Sequence, residues 1–249
     1  MTSLLIALQF LTRIPLPFHL SLKPDEMGRS MRWFPLVGAM LGGCVAIVDF
    51  ALAALVAPEV RSVLLVALLA VLTGALHLDG VMDSCDGLLA FTSRERRLEI
   101  MSDSRVGSFA VVGLTTALLL KYAAFLSLPD PLRLPGFIAM GGLSRWAMVY
   151  TTVLWPDARG QGLGHTYKQG AGRLELVWAS VLAAVALVPL TAVGLAAAGV
   201  AVLSATALAW YATRKIGGLT GDVYGAVCEA VEILVVLALP PLARGMLTG

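Results

Sequence analysis

The chain has 249 residues, 58% of them hydrophobic and only 14% charged, with a formal net charge of +2 and a mean hydropathy of +0.85. Soluble domains carry roughly 25% charged residues, so this composition excludes a disordered chain and argues against a soluble enzyme, whose surface so few charges cannot cover. The net charge is too small to call for nucleic acid, and Cys44, Cys85 and Cys228 lie too far apart for a disulfide framework or a zinc site.

In chain order, residues 4–11 form a short apolar stretch that lacks a basic start and is followed by Arg13 and Pro15. That pattern predicts an interfacial or re-entrant helix rather than a signal peptide. Apolar runs then cover 36–57, 62–78, 107–128, 134–155, 174–212 and 224–243. A bilayer core about 30 Å thick takes about 20 helical residues. The run 174–212 is too long for one span, and Pro189 and Gly194 divide it into 174–190 and 194–212. Backbone groups in lipid must be satisfied within each segment, so the expected fold is all-α: a polytopic membrane bundle of about seven transmembrane helices. The whole of 1–249 reads as one domain. Gly38 and Gly42 form a small-xxx-small pair in the first span, which predicts close helix packing.

Basic residues set the expected orientation. Arg13, Lys23, Arg29 and Arg32 precede the first span; Arg94, Arg96, Arg97 and Arg105 lie in the loop 79–106. Arg159, Lys168 and Arg173 lie in 156–173, and Arg214 and Lys215 in 213–223. These thirteen face only Arg61, Arg133 and Arg244 on the other side, with Lys121 and Arg145 inside spans. The positive-inside rule puts the thirteen, and the N-terminus, in the cytoplasm.

The chemistry concentrates in residues 77–107, HLDGVMDSCDGLLAFTSRERRLEIMSDSRVG. Asp79, Asp83 and Asp86 are spaced i, i+4, i+7, within roughly 40° of one another on a helix face. Carboxylates that close repel unless a cation lies between them, and a hard ion such as Mg²⁺ suits them. A solvated acidic helix end is the plainer reading, but bare acids at a membrane boundary are costly. Asp103 and Arg105 follow, a carboxylate able to complete a metal site and a guanidinium able to grip a phosphate oxygen. Arg96 and Arg97 belong to a basic run that reads as an anchor at anionic lipid or as further phosphate contacts. Arg145, inside an apolar span, must face the bundle interior. There it either reaches phosphate or forms a structural pair, for example with Asp49. Lys168 ends a glycine-rich basic loop without P-loop spacing, so a phosphate cradle and a flexible connector both fit. Asp222 precedes the last span as a helix cap or a substrate contact; Glu229 and Glu232 follow it inside that span. Acids and bases thus converge on one mouth of the bundle, which fits Mg²⁺-dependent transfer on a diphosphate or phosphate ester. Asp83, Asp103 and Arg105 are the expected catalytic residues, with Asp79, Asp83, Asp86 and Asp103 on the metal.

HLDGVMDSCDG followed by RRLEIMSDSRVGSFA closely resembles the cobalamin synthase family of adenosylcobinamide-GDP ribazoletransferases. FLTRIPLP, RWFPLVGAMLG, SRWAMV and GLTGDVYGA carry the resemblance from near residue 10 to about residue 230. The resemblance implies a bacterial inner-membrane enzyme using Mg²⁺. In this reaction a ribose hydroxyl of α-ribazole, or of its 5′-phosphate, attacks adenosylcobinamide-GDP and expels GMP. It places the acidic motif on Asp79, Asp83 and Asp86 and the second motif on Asp103 and Arg105. A homo-oligomer is left open. A CDP-alcohol phosphotransferase is the nearest alternative, but Asp83-Ser84 breaks its pattern. The single Asp103 fits a polyprenyl transferase poorly. A transporter would require acids near several span centres, and only Asp49 clearly has that position.

Overall fold

A computed structural model describes residues 2–15 and 23–247, the last two as backbone only. Among these described residues twelve α-helices follow in order: α1 (Thr2–Leu11), α2 (Pro24–Ser30), α3 (Phe34–Leu52), α4 (Pro58–Thr73), α5 (Leu76–Leu89), α6 (Arg94–Ile100), α7 (Ser108–Ser127), α8 (Asp130–Leu154), α9 (Leu163–Gly170), α10 (Arg173–Leu187), α11 (Thr191–Ile216) and α12 (Gly221–Leu247). Short 3₁₀ turns, Met31–Trp33 and Val188–Leu190, join α2 to α3 and α10 to α11. No strand occurs among the described residues; Asp157 and Leu219 form an isolated bridge.

α3 and α8 are the most extensively packed pair. A Cβ built at Gly38 would lie 2.0 Å from the Gly141 carbonyl oxygen, and one at Gly42 would lie 2.0 Å from that of Phe137. The expected small-residue contact is therefore real, and α8 is its partner. α12 packs on α5, α8 and α11 in the centre of the bundle. On α11, Gly194, Ala197, Ala201, Ala205, Ala209 and Ala212 are buried at three- and four-residue steps, so its backbone lies close to its neighbours. Large apolar side chains elsewhere face outward, among them Ile47, Phe50, Val71, Leu119, Leu195 and Leu203. In water such a surface would be costly, whereas hydrocarbon accepts it.

Four stretches are long and apolar enough to cross a membrane: 24–52, 108–127, 173–216 and 221–245, or five if α4 and α5 make one broken span. The expected seven does not emerge from this criterion, for three physical reasons. The run expected at 62–78 is broken by a 92° bend into α4 and α5, of 16 and 14 residues. α8 has 25 residues, but Arg133 and Arg145 lower its apolar content and turn inward. The 44 residues of 173–216 are broken at Val188–Leu190, where Pro189 sits, as the sequence predicts. The fold is a polytopic helical membrane bundle.

The bend is local chemistry. Gly74 (φ 63°) and Ala75 (φ 57°) both adopt left-handed backbone, which a right-handed helix cannot propagate. Their N–H groups close α4 on the carbonyls of Val71 and Ala70 at 3.1 and 2.7 Å. Gly74 also has no room for a side chain, since a Cβ there would lie 2.0 Å from Arg13 Nε. The Arg13 N–H donates to the Leu72 carbonyl at 2.7 Å, so the FLTR segment docks on the bend; Leu16 and Pro17 of that motif lie outside the described residues. α1 is buried at Ile6, Ala7 and Leu11, and its ten residues are too few to cross a bilayer.

Candidate active site

α5 carries the acidic motif on one helix, as its i, i+4, i+7 spacing predicts, so that helix runs on into the segment 79–106 counted as a loop for topology. Its buried face, His77, Gly80, Val81, Ser84, Gly87 and Leu88, packs on α12, α7 and α6. Gly80 makes the closest approach, since a Cβ there would stand 2.6 Å from the Asp222 carbonyl oxygen. The opposite face places Asp79, Asp83 and Asp86 in one cavity with about 290 Å³ of accessible space, whose other walls include Asp103 and Arg105. With 14 residues, about 21 Å, α5 falls short of the bilayer core; its acidic face is a boundary surface rather than part of a span.

The four acids are not equivalent. Asp86 binds the start of α7, its two oxygens accepting the Gly107 and Ala110 N–H groups at 2.7 and 2.8 Å. It is thus an N-terminal cap supplied from another helix. Asp103 is locked to Arg105, which donates through Nη2 at 2.6 Å, through Nε at 3.1 Å and through its backbone N–H at 3.0 Å. These bonds hold the Asp103 carboxyl at about 2. The Arg105 side chain is 84% exposed, so water competes for it and so would an incoming phosphate. Asp83 is half-buried, and burial, then the Asp222 and Asp79 charges, push its carboxyl up to about 7. Asp79 is exposed.

Asp222 joins this cluster from α12. It pairs with Arg159 Nη1 at 3.2 Å and accepts the Thr220 hydroxyl at 3.2 Å. Thr220 Oγ1 in turn accepts the Val223 N–H at 3.3 Å, so the helix cap expected of Asp222 is supplied by Thr220.

Other expected contacts have different tasks. Arg97 is buried and donates to the Gly87 and Leu88 carbonyls at 3.1 and 2.6 Å, closing the end of α5. Arg96 lies on the surface with Glu99 at 2.8 Å. Lys168 Nζ donates to the carbonyls of Thr152 (2.7 Å) and Trp155, at the end of α8. Arg145 is completely buried, pairs with Glu232, and lies 3.5 Å from His77 Nδ1. The pairing with Asp49 is corrected: Arg133 takes both Asp49 oxygens at 2.6 Å, and Arg61 stands 3.3 Å away. Lys121 completes the interior network with Glu229 and Glu232. Three neighbours of the site were not among the expected site residues: Asp157, and Arg159 and His165 of the glycine-rich basic loop. Asp157 accepts the N–H groups of Arg159 and Gly160 and pairs with His165, which folds the glycine-rich loop over Asp222. Arg159 and His165 belong to that loop and Asp157 precedes it, but no spacing in the sequence links them to Asp222.

A cation fits the acidic cavity through its donor set. Asp79 and Asp83 offer hard oxygens, and the rise at Asp83 marks a crowding of like charge that a divalent ion relieves. Among the described residues no group of three or more His, Cys, Asp or Glu is arranged to hold an ion by itself. Mg²⁺ commonly takes only one or two carboxylates and completes its shell with water and substrate phosphate.

Comparison with known proteins fits this arrangement. The family model described as cobalamin-5-phosphate synthase matches residues 3–240. A relative from Geotalea daltonii named adenosylcobinamide-GDP ribazoletransferase is 44% identical over 238 residues, 94% of this chain and 95% of its own. Relatives of the same name from Roseiflexus sp. (39% identical, 94% of this chain, 87% of theirs) and Desulfitobacterium hafniense (40%, 97% and 98%) align as fully. No solved structure matches. With nearly its whole length matched, the chain belongs to the cobalamin-5-phosphate synthase family.

Proposed function

We propose that this membrane enzyme joins adenosylcobinamide-GDP to α-ribazole, or to α-ribazole 5′-phosphate, and releases GMP. Membership of the family and the shared name of its relatives support the reaction. The observation that carries the site is the single cavity holding Asp79, Asp83, Asp86, Asp103 and Arg105. A ribose hydroxyl of the acceptor attacks the phosphorus that remains on cobinamide, the bond to the bridging oxygen breaks, and GMP departs with that oxygen. Bound Mg²⁺ would supply charge neutralisation at the diphosphate.

Asp79 and Asp83 would hold that ion, with Asp86 contributing only the lone pairs its cap leaves free. Arg105, exposed and already presenting its fork to a carboxylate, is placed to exchange Asp103 for phosphate oxygens. A cavity carboxylate takes the proton of the attacking hydroxyl. Arg97, Lys168 and Arg145 serve by fixing helix ends and the bundle interior around this chemistry. The cavity faces the cytoplasm of a bacterial inner membrane in this reading, on the positive-inside asymmetry.

The test is turnover by purified protein in detergent or liposomes. GMP should appear from adenosylcobinamide-GDP only with α-ribazole (or its phosphate) and Mg²⁺ present, and EDTA should stop it. GMP release without an acceptor, or none under any of these conditions, would refute the assignment.

A further inference from the structure

A second cavity, with about 140 Å³ of accessible space, adjoins the acidic one and differs from it in chemistry. Phe10, Phe34 and Tyr167 line it as a mutually packed aromatic cluster, with Phe10 4.6 Å from Tyr167 and 5.7 Å from Phe34 between ring centroids. Met31 and Met148 add polarizable, adaptable walls. Three wall residues, His77, Thr152 and Tyr224, are at least 95% buried. Among the described residues His77 Nε2 has no hydrogen-bond partner, and the Thr152 and Tyr224 hydroxyls have only each other as neighbours. Buried polar atoms are normally satisfied, so the lone His77 donor and the hydrogen-bonding capacity left on the two hydroxyls suit a ligand or water on this wall.

We propose that this cavity is the pocket for the base of the acceptor nucleoside, an uncharged, planar, bicyclic heteroaromatic such as the benzimidazole of ribazole. The proposal rests on the transferase reading above and locates its acceptor. With about 140 Å³ of accessible space the cavity is smaller than the roughly 300–1,000 Å³ pockets of drug-sized ligands, though like them mostly apolar with a few placed polar groups; a single bicyclic ring is the size it takes, and a whole corrinoid is many times too large. Arg145 Nη2 can only donate, so His77 Nδ1 accepts from it and Nε2 carries the hydrogen. That buried donor without an acceptor matches the unsubstituted ring nitrogen of a benzimidazole nucleoside. Guanine, the base at the other end of the reaction, would bring several donors and acceptors that these apolar walls leave unpaired. Asp79 lines both cavities, so a ribose attached to a base in this pocket emerges beside the acids. Gly164 and Gly221 close the mouth, where a Cβ on Gly164 would stand 2.8 Å from the Gly221 nitrogen.

The test measures equilibrium binding of α-ribazole and of GMP, separately, to the purified full-length protein. Met148→Trp fills the pocket and should weaken α-ribazole binding at least tenfold while leaving GMP binding within twofold. Should that variant not fold, Thr152→Val combined with Tyr224→Phe removes the polar wall without changing volume. This pair should weaken α-ribazole threefold or more. Unchanged α-ribazole affinity in a folded variant, absence of α-ribazole binding to the wild type, or an equal or greater loss for GMP each overturns the assignment. The two readings fail separately. Pocket-dependent binding without any GMP release would sink only the reaction, whereas turnover with an α-ribazole KM indifferent to Met148→Trp would sink only the pocket.

Discussion

Asp83 and Asp86 stand three positions apart on one face of α5, yet the physics around them differs. Asp86 spends both oxygens on the first N–H groups of α7, so Asp86→Ala should lower unfolding free energy by about 1–2 kcal/mol, read from a denaturant melt in detergent. Asp83 caps nothing. Asp83→Asn should leave the melt at least as high as the wild type's and reduce GMP release by about 100-fold or more; wild-type turnover would remove it from the site. The raised carboxyl also has a pH signature. Because the folded state holds the Asp83 proton up to about 7, the cation-free protein gains stability from this group at low pH and loses it as pH rises toward 7. Stabilisation by added Mg²⁺ should therefore grow over the same interval, and a melt series from pH 5 to 8 should show it flattened in Asp83→Asn. Arg145 shows the limit of reading a lone residue: the sequence says it must face inward, but not that Glu232 meets it there. Arg145→Ala leaves Glu232 with Lys121 alone and should cost about 3–5 kcal/mol, seen as lost yield of folded protein rather than as a selective fall in kcat.

At the scale of elements, the decisive feature is the bend between α4 and α5. The hydropathy of 62–78 reads as one span, because a left-handed pair of residues barely disturbs apolar content. Gly74 hints at a break, but Ala75 carries no sign of its positive φ. Ala is strained there by roughly 1–2 kcal/mol. Ala75→Gly should raise stability by about 0.5–1 kcal/mol after the extra unfolded-state entropy of glycine is subtracted, whereas Gly74→Ala should lower it, since its Cβ would collide with Arg13. Paired thermal melts of the two variants would decide; equal shifts of one sign would refute the account. The bend aims α5 past α12, so that Asp222 faces Asp83.

For the whole molecule, orientation is the open physical question with a direct measurement. In a background lacking the three native cysteines, a cysteine at Ser93, between α5 and α6, should react with a membrane-impermeant maleimide only after the membrane is opened. Labelling of intact cells would invert the topology and move the acidic cavity outside.

By itself the sequence determined the class and the chemistry: a helical membrane bundle, a small-residue contact at Gly38 and Gly42, a chain break at Pro189, and acids sharing a face of one helix. All of these follow from local rules, either the composition of a segment or the 3.6-residue period, and need no knowledge of distant residues. Tertiary structure decided everything that depends on partners far away in sequence. It turned Asp86 into a cap for α7 and Lys168 and Arg97 into closures of helix ends. It enclosed Arg145 with Glu232 and brought Arg159, Asp157 and His165 beside Asp222. Buried charges and helix ends must find partners within hydrogen-bonding reach, and only packing determines which partners those are.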